Sequence, residues 1–338
     1  MDFGLTMPTH GLLLRDERDF YLQKLPAEEM RPVEVAQLAE RLGYHSVWFS
    51  DHVCMGRDEG AFHTANTSGK RAYPNQATML DMIATMGAIA GATSTIRMAS
   101  SVWIAPYRHP LVAAHQLATV DVLSGGRLIV GVGSGWDPQE FAAVGGDFAH
   151  RGSVTEEQIE IFKHVWTAPY VDFRGRFYEI HDVSLEPKPV QKPHPPLVFG
   201  AVSEIGARRA ARTCDGIYPM FLDSYGDPGR FEDLREAVLR EAERIGRDVS
   251  DFRMYAFCSG LVVEPGDEAA ARSPRMTLTG TADQVLAEVE RFAAAGYSHL
   301  TMHFDVRSGT MQEYLEIVQR FAEQVIPAAR SITARSFT

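Results

Sequence analysis

Short runs of β-branched and aromatic residues alternate with longer segments of helical period from one end of this 338-residue chain to the other. That alternation predicts a parallel sheet covered by helices. Candidate strands begin near Phe3, Ser46, Ile96, Leu128, Leu197, Gly216, Phe252 and Ser298, eight in all. Eight such units suit a closed (β/α)8 TIM barrel better than an open sheet, and residues 1–338 read as one α/β domain of that kind. Val35, Leu38, Ala39 and Leu42 give the first helix one apolar stripe, ended by Gly43. Ser153 with Glu156 and Thr281 with Gln284 read as capping boxes, and the last helix shows Leu315, Val318, Ala322 and Val325.

Three stretches break the repeat, at residues 8–27, 53–75 and 169–196. The first two follow strands one and two and would lie over the catalytic face of a barrel. The third reads as a β-hairpin turning at Gly175, then a proline-rich linker into strand five.

A formal charge of −11 argues against nucleic acid and anionic membranes, whose affinity comes from clustered Lys and Arg. Three distant cysteines, Cys54, Cys214 and Cys258, form no C-x-x-C pair, which fits a reducing cytoplasm. No signal sequence or apolar run of membrane-spanning length is legible, so the expectation is a cytoplasmic protein.

Chemistry has three candidate seats. Ser50-Asp51-His52 follows the apolar run Val47-Trp48-Phe49, where a barrel strand aims residues into the active site. His52 can exchange a proton near neutral pH; equally, Asp51 can cap a turn with His52 solvated. Gly131-Val132-Gly133-Ser134-Gly135-Trp136 lets a planar cofactor or a phosphate approach the backbone, or is simply a tight connection. It is not a dinucleotide fingerprint, because Trp136 stands where the third glycine belongs. Gly200-Ala201-Val202-Ser203 opens a helix and is either a phosphate cradle or an ordinary N-cap. For a metal the best spacing is His299 with His303, and nothing completes a set, so no metal site is expected. Serine-hydrolase, P-loop and zincin motifs are absent.

In order, these pieces resemble the bacterial luciferase-like superfamily of flavin monooxygenases and coenzyme F-420-dependent oxidoreductases. The most specific stretch runs from Arg108-His109-Pro110-Leu111 through Ala118-Thr119-Val120-Asp121-Val122-Leu123-Ser124-Gly125-Gly126-Arg127-Leu128 into the glycine-rich turn. Pro187-Lys188-Pro189-Val190-Gln191-Lys192-Pro193 and Thr279-Gly280-Thr281 add to it.

The resemblance implies a deazaflavin (coenzyme F-420) cofactor, with FMN as the alternative, and Asp51 and His52 beside its reactive face. It implies a non-proline cis peptide between Ser101 and Val102, bulging against the ring. Cofactor contacts would fall on Ser101, Val102, Ser134, Gly135, Trp136, Gly200, Val202 and Ser203. A homodimer is a family expectation. Sugar-phosphate dehydrogenases of the superfamily carry a glutamate where this chain has Trp136, which speaks against that substrate class. Trp136 with Trp103, Tyr107, Phe20, Phe62 and Phe221 suits an apolar or aromatic small-molecule substrate, although large aromatics also plug barrel rims. The leading reading is hydride transfer between a deazaflavin and a small organic substrate, with His52 moving the proton. The runners-up are an FMN-dependent monooxygenase, a catalytically silent cofactor-binding relative and, last, a metal-dependent hydrolase.

Overall fold

A computed structural model of the chain describes residues 1–15, 20–57, 73, 76–221, 232–264 and 278–337. Eight parallel strands form the barrel: β1 (Asp2–Thr6), β2 (Ser46–Phe49), β3 (Arg97–Ser100), β4 (Leu128–Gly133), β5 (Leu197–Gly200), β6 (Gly216–Tyr218), β7 (Arg253–Val262) and β8 (Tyr297–Val306). Each pairs with the next, and β8 returns to β1 with Asp2 opposite His299, so the sheet closes on itself. Every start lies within one residue of the sequence expectation.

Helices α1 (Pro32–Leu42), α2 (Met82–Ala92), α3 (Pro110–Leu123), α4 (Pro138–Val144), α5 (Arg151–Thr167), α6 (Glu204–Thr213), α7 (Glu232–Ile245), α8 (Ala282–Ala294) and α9 (Met311–Gln324) follow the strands. Strand alternation sorts the side chains into two layers. Val47, Phe49, Leu300, Met302 and Phe304 point outward into the large core under the helices. Trp48, Ala99, Ile129, Val198, Tyr218, Tyr255 and Phe257 fill the lumen.

Helix α1 buries Val35, Ala36 and Ala39, with Leu38 and Leu42 half-buried, and ends at Gly43 with φ 83°. In α9 the buried stripe is Tyr314, Ile317, Val318, Phe321 and Ala322, one position off the expected line at Leu315. Ser153 does not cap a helix: α5 begins at Arg151, two residues earlier, behind His150. Thr281 does cap α8, its hydroxyl accepting from the Gln284 amide while the Gln284 side chain accepts from the Thr281 amide. Thr281→Ala should therefore cost about 1 kcal/mol, read from the urea midpoint.

In the first insertion, strands Leu12–Arg15 and Phe20–Gln23 form an antiparallel hairpin that adds Leu13 and Leu14 to the far end of β8. In the third, Val171–Arg174 pairs with Glu179–Val183 around Gly175, as expected. Most of 53–75 lies outside the described residues. Among those described, no helix is long and apolar enough to cross a membrane.

Candidate active site

Strand β2 ends at Phe49 and delivers Asp51 and His52 to the carboxyl face of the barrel. The two side chains have different fates. Asp51 is buried and both its oxygens are taken: Arg108 donates to Oδ1 and Oδ2 at 2.8 Å each, and the Ile104 amide donates to Oδ2 at 2.9 Å. A carboxylate bound this way anchors the loop after β3 from its place next to His52 at the end of β2.

His52 is held instead by Glu140, from the first turn of α4. Its Nδ1 lies 2.7 Å from Glu140 Oε2, and both side chains are nearly inaccessible. Glu140 Oε2 also accepts from the Tyr107 hydroxyl at 2.7 Å, while Oε1 accepts from the Val53 and Cys54 amides. Burial alone would raise this carboxyl, but the His52 bond and charge, Tyr107 and the Val53 amide hold it below the ordinary carboxylate range. A carboxylate on Nδ1 makes that nitrogen the N–H and leaves Nε2 to exchange a proton.

Aromatic rings enclose the pair. His52 meets Tyr73 edge-on at 5.0 Å and Trp136 at 5.8 Å, and Tyr73 and Trp136 are near-parallel at 16°. Across the mouth, the His10 ring lies edge-on to His303 at 5.6 Å and near Tyr73 at 6.1 Å. Burial, reinforced by His52, pushes His10 down to about 4. The unfolded chain, with histidine at 6.5, binds more protons between those values, so stability falls as the pH drops from 6.5 towards 4. His10→Phe is expected to remove that loss, about 2 kcal/mol between pH 7 and pH 4.5, checked by urea unfolding at the two pH values.

The expected cis peptide joins Ser101 and Val102. Its seat is made by glycines: a side chain at Gly131 would overlap the Ser100 carbonyl, and one at Gly133 would overlap Val102. Ser101 Oγ is 3.1 Å from the Tyr218 hydroxyl, which closes the floor toward β6. Gly135 has φ 75°, a value other residues adopt only with strain, and packs on Phe141 and Ile104. Ser134 and Trp136 are half-buried beside it, as is Gly200 at the end of β5. Ser203 caps α6, accepting from the Gly206 amide, while Val202 and Ser203 remain exposed.

Two pocket expectations need correction. Trp103 is fully buried in the core with Arg108 over its ring, so it cannot line an open site. Tyr107 is buried against Phe141 and reaches the site only through Glu140. Phe62 and the side chains of Phe20 and Phe221 lie outside the described residues. His299 and His303 do not share an ion: four residues along a strand is about 13 Å. His299 instead meets Asp2 and His45 at the amino-terminal end of the barrel, ligand atoms within 4.8 Å of one another. Arg97 and Arg253 act on both histidines there and oppose a cation.

Glu140 escapes a reading of the sequence because Asp137-Pro138-Gln139-Glu140 is a complete helix start. Asp137 caps it, proline opens it and an acid favours its first turn, so nothing local is left unexplained.

Polar groups gathered at the carboxyl ends of eight parallel strands, under an aromatic mouth, define a (β/α)8 barrel of the enzymatic type. The sequence matches the family described as "Luciferase-like monooxygenase" over residues 7–299, and the chain belongs to that family. It is 26% identical to an F-420-dependent glucose-6-phosphate dehydrogenase of Amycolatopsis mediterranei, covering 91% of this chain and 98% of that protein. It is 32% identical to an FMNH2-dependent dimethylsulfone monooxygenase of Pseudomonas putida, over 49% of this chain and 46% of the relative. An F-420-dependent secondary alcohol dehydrogenase, solved with an F-420–acetone adduct, has the same fold, with TM-score 0.73, 21% identity and 98% and 99% of the two chains covered.

Proposed function

We propose that this chain transfers a hydride between a deazaflavin, coenzyme F-420, and a small organic substrate, with His52 moving the accompanying proton. The observation that carries the reading is the buried Glu140–His52 pair, which fixes Nδ1 as the donor and frees Nε2. The deazaflavin is favoured over FMN by coverage, since the deazaflavin-dependent relative aligns with 91% of the chain and the FMNH2-dependent one with 49%.

The residues fit such a cofactor. Ser101 and Val102, raised on Gly131, Gly133 and Gly200, would support one face of its ring system. Ser134, Gly135 and Trp136 would border it. Free amides at the start of α6, near Val202 and Ser203, would hold its phosphate. When bound, the deazaflavin supplies the hydride acceptor or donor. Tyr73 and Trp136 exclude water around His52, and His52 Nε2 takes the proton of a substrate hydroxyl or returns it to the carbonyl.

The deciding measurement is a pair of fluorescence titrations of the apo chain, with coenzyme F-420 and with FMN. Micromolar or tighter binding of the deazaflavin is the expected result. Preference for FMN, with oxygen consumed on turnover, would install the monooxygenase reading, and binding without turnover across a broad panel would favour a silent relative.

A cytoplasmic setting is supported by free Cys54, Cys214 and Cys258. For the homodimer we favour the outer faces of α2 and α3. There Ala84, Ala88 and Gly91 are exposed beside Val112, Val122 and Leu123, the last 60% exposed. Ala88→Arg is expected to shift the sedimentation coefficient to that of a monomer.

A further inference from the structure

We propose that His10 orients the substrate, its imidazole hydrogen-bonding the oxygen of a small neutral ketone or secondary alcohol. The assignment rests on the hydride-transfer reading and deepens it. His10 follows β1 on a loop pinned by the Leu80 amide donating to the Thr9 carbonyl at 3.0 Å and by the Gly11 amide donating to Pro8. His10 is only 4% exposed, yet among the described residues its Nδ1 has no hydrogen-bond partner. Buried polar atoms are rarely left unpaired unless a ligand or water completes them. The surroundings that leave it unpaired are rings: His303 and Tyr73 against His10, and Phe257 edge-on behind His303 at 5.6 Å. A polar nitrogen set among rings specifies where a substrate's oxygen lies, while the rings accept its apolar part.

The charge pattern decides the substrate class. Burial and His52 keep His10 neutral at physiological pH. Arg108 is already held by both oxygens of Asp51, and Glu140 adds negative charge. None of these groups offers a counter-charge to an anionic substrate. A neutral imidazole with its proton on Nδ1 donates to a carbonyl oxygen and equally to a lone pair of an alcohol oxygen, which leaves the hydroxyl proton for His52 Nε2. The same contact therefore serves both oxidation levels of a ketone–alcohol couple.

The test is nitrogen NMR of the full chain carrying 15N-histidine, with acetophenone, 1-phenylethanol and benzoate as probes, with and without coenzyme F-420. The expected result is a saturable movement of the His10 Nδ1 resonance with the ketone and the alcohol but not with benzoate. In His10→Phe, acetophenone binding should weaken about tenfold, the scale of one hydrogen bond, and His10→Asn should restore most of it. A resonance unmoved at saturating ketone, or moved as strongly by benzoate, would overturn the proposal. If His10→Phe fails to fold, the wild-type spectra and the asparagine variant still decide. Cofactor titration separates the two readings: a chain that binds no deazaflavin loses the hydride-transfer reading, whereas intact cofactor binding with a silent His10 removes only this assignment.

Discussion

Asp51→Ala is expected to destabilise the chain by about 3–5 kcal/mol, because it strands a partly buried guanidinium that has lost its bidentate carboxylate. Arg108 is 17% exposed on its side chain and Asp51 2%, so water can compensate little. The Ile104 amide loses its acceptor as well. The urea midpoint measures the loss. Removing both charges together, as Asp51→Leu with Arg108→Met, should recover much of it, since replacing a buried pair by apolar groups is often near neutral. A destabilisation within about 0.5 kcal/mol, the range of ordinary surface substitutions, would show that Asp51 is not an anchor.

The second large effect is on turnover. His52→Asn removes the proton-exchanging nitrogen and is expected to lower kcat about 100- to 10,000-fold, the usual contribution of a positioned acid–base group. Coenzyme binding should be unchanged. Glu140→Gln keeps the shape but takes the charge from Nδ1, so the ring no longer has a fixed tautomer, and a fall of similar size is expected with a shifted pH profile. The same carboxylate sets an acid limit. Its folded pKa lies below the ordinary 4.5, so its contribution to stability is complete above that value and is lost as the pH falls through the depressed one. A wild-type rate in His52→Asn would remove His52 from the reaction.

The barrel was legible because each strand–helix unit announces itself by a change of period, and Gly43 and Thr281 mark boundaries through requirements of the backbone alone. Ser153 misled because a capping-box spacing inside a helix looks like one at its start. The site was legible only in part. Asp51 and His52 could be placed at the end of β2, but which of them faces chemistry depends on partners 57 and 88 residues away, Arg108 and Glu140. Trp103 shows the same limit: an aromatic residue on a mouth loop and one in the core read alike until its burial is known. His10 carries no local signal at all, since its meaning comes from a ring on the last strand.

The closure of β8 on β1 bears on how the chain is made. Synthesis runs from the amino terminus, so β1 acquires β2 as a neighbour early, but its other edge stays open until Tyr297–Val306 emerges. The Leu12–Arg15 strand waits for the same partner. For most of translation the nascent chain therefore carries an unpaired, largely apolar strand edge, the kind that invites pairing with a neighbouring chain. Assembly of the ribosome-borne intermediate is thus most exposed to aggregation at β1, and any chaperone that attends it has the longest work to do there.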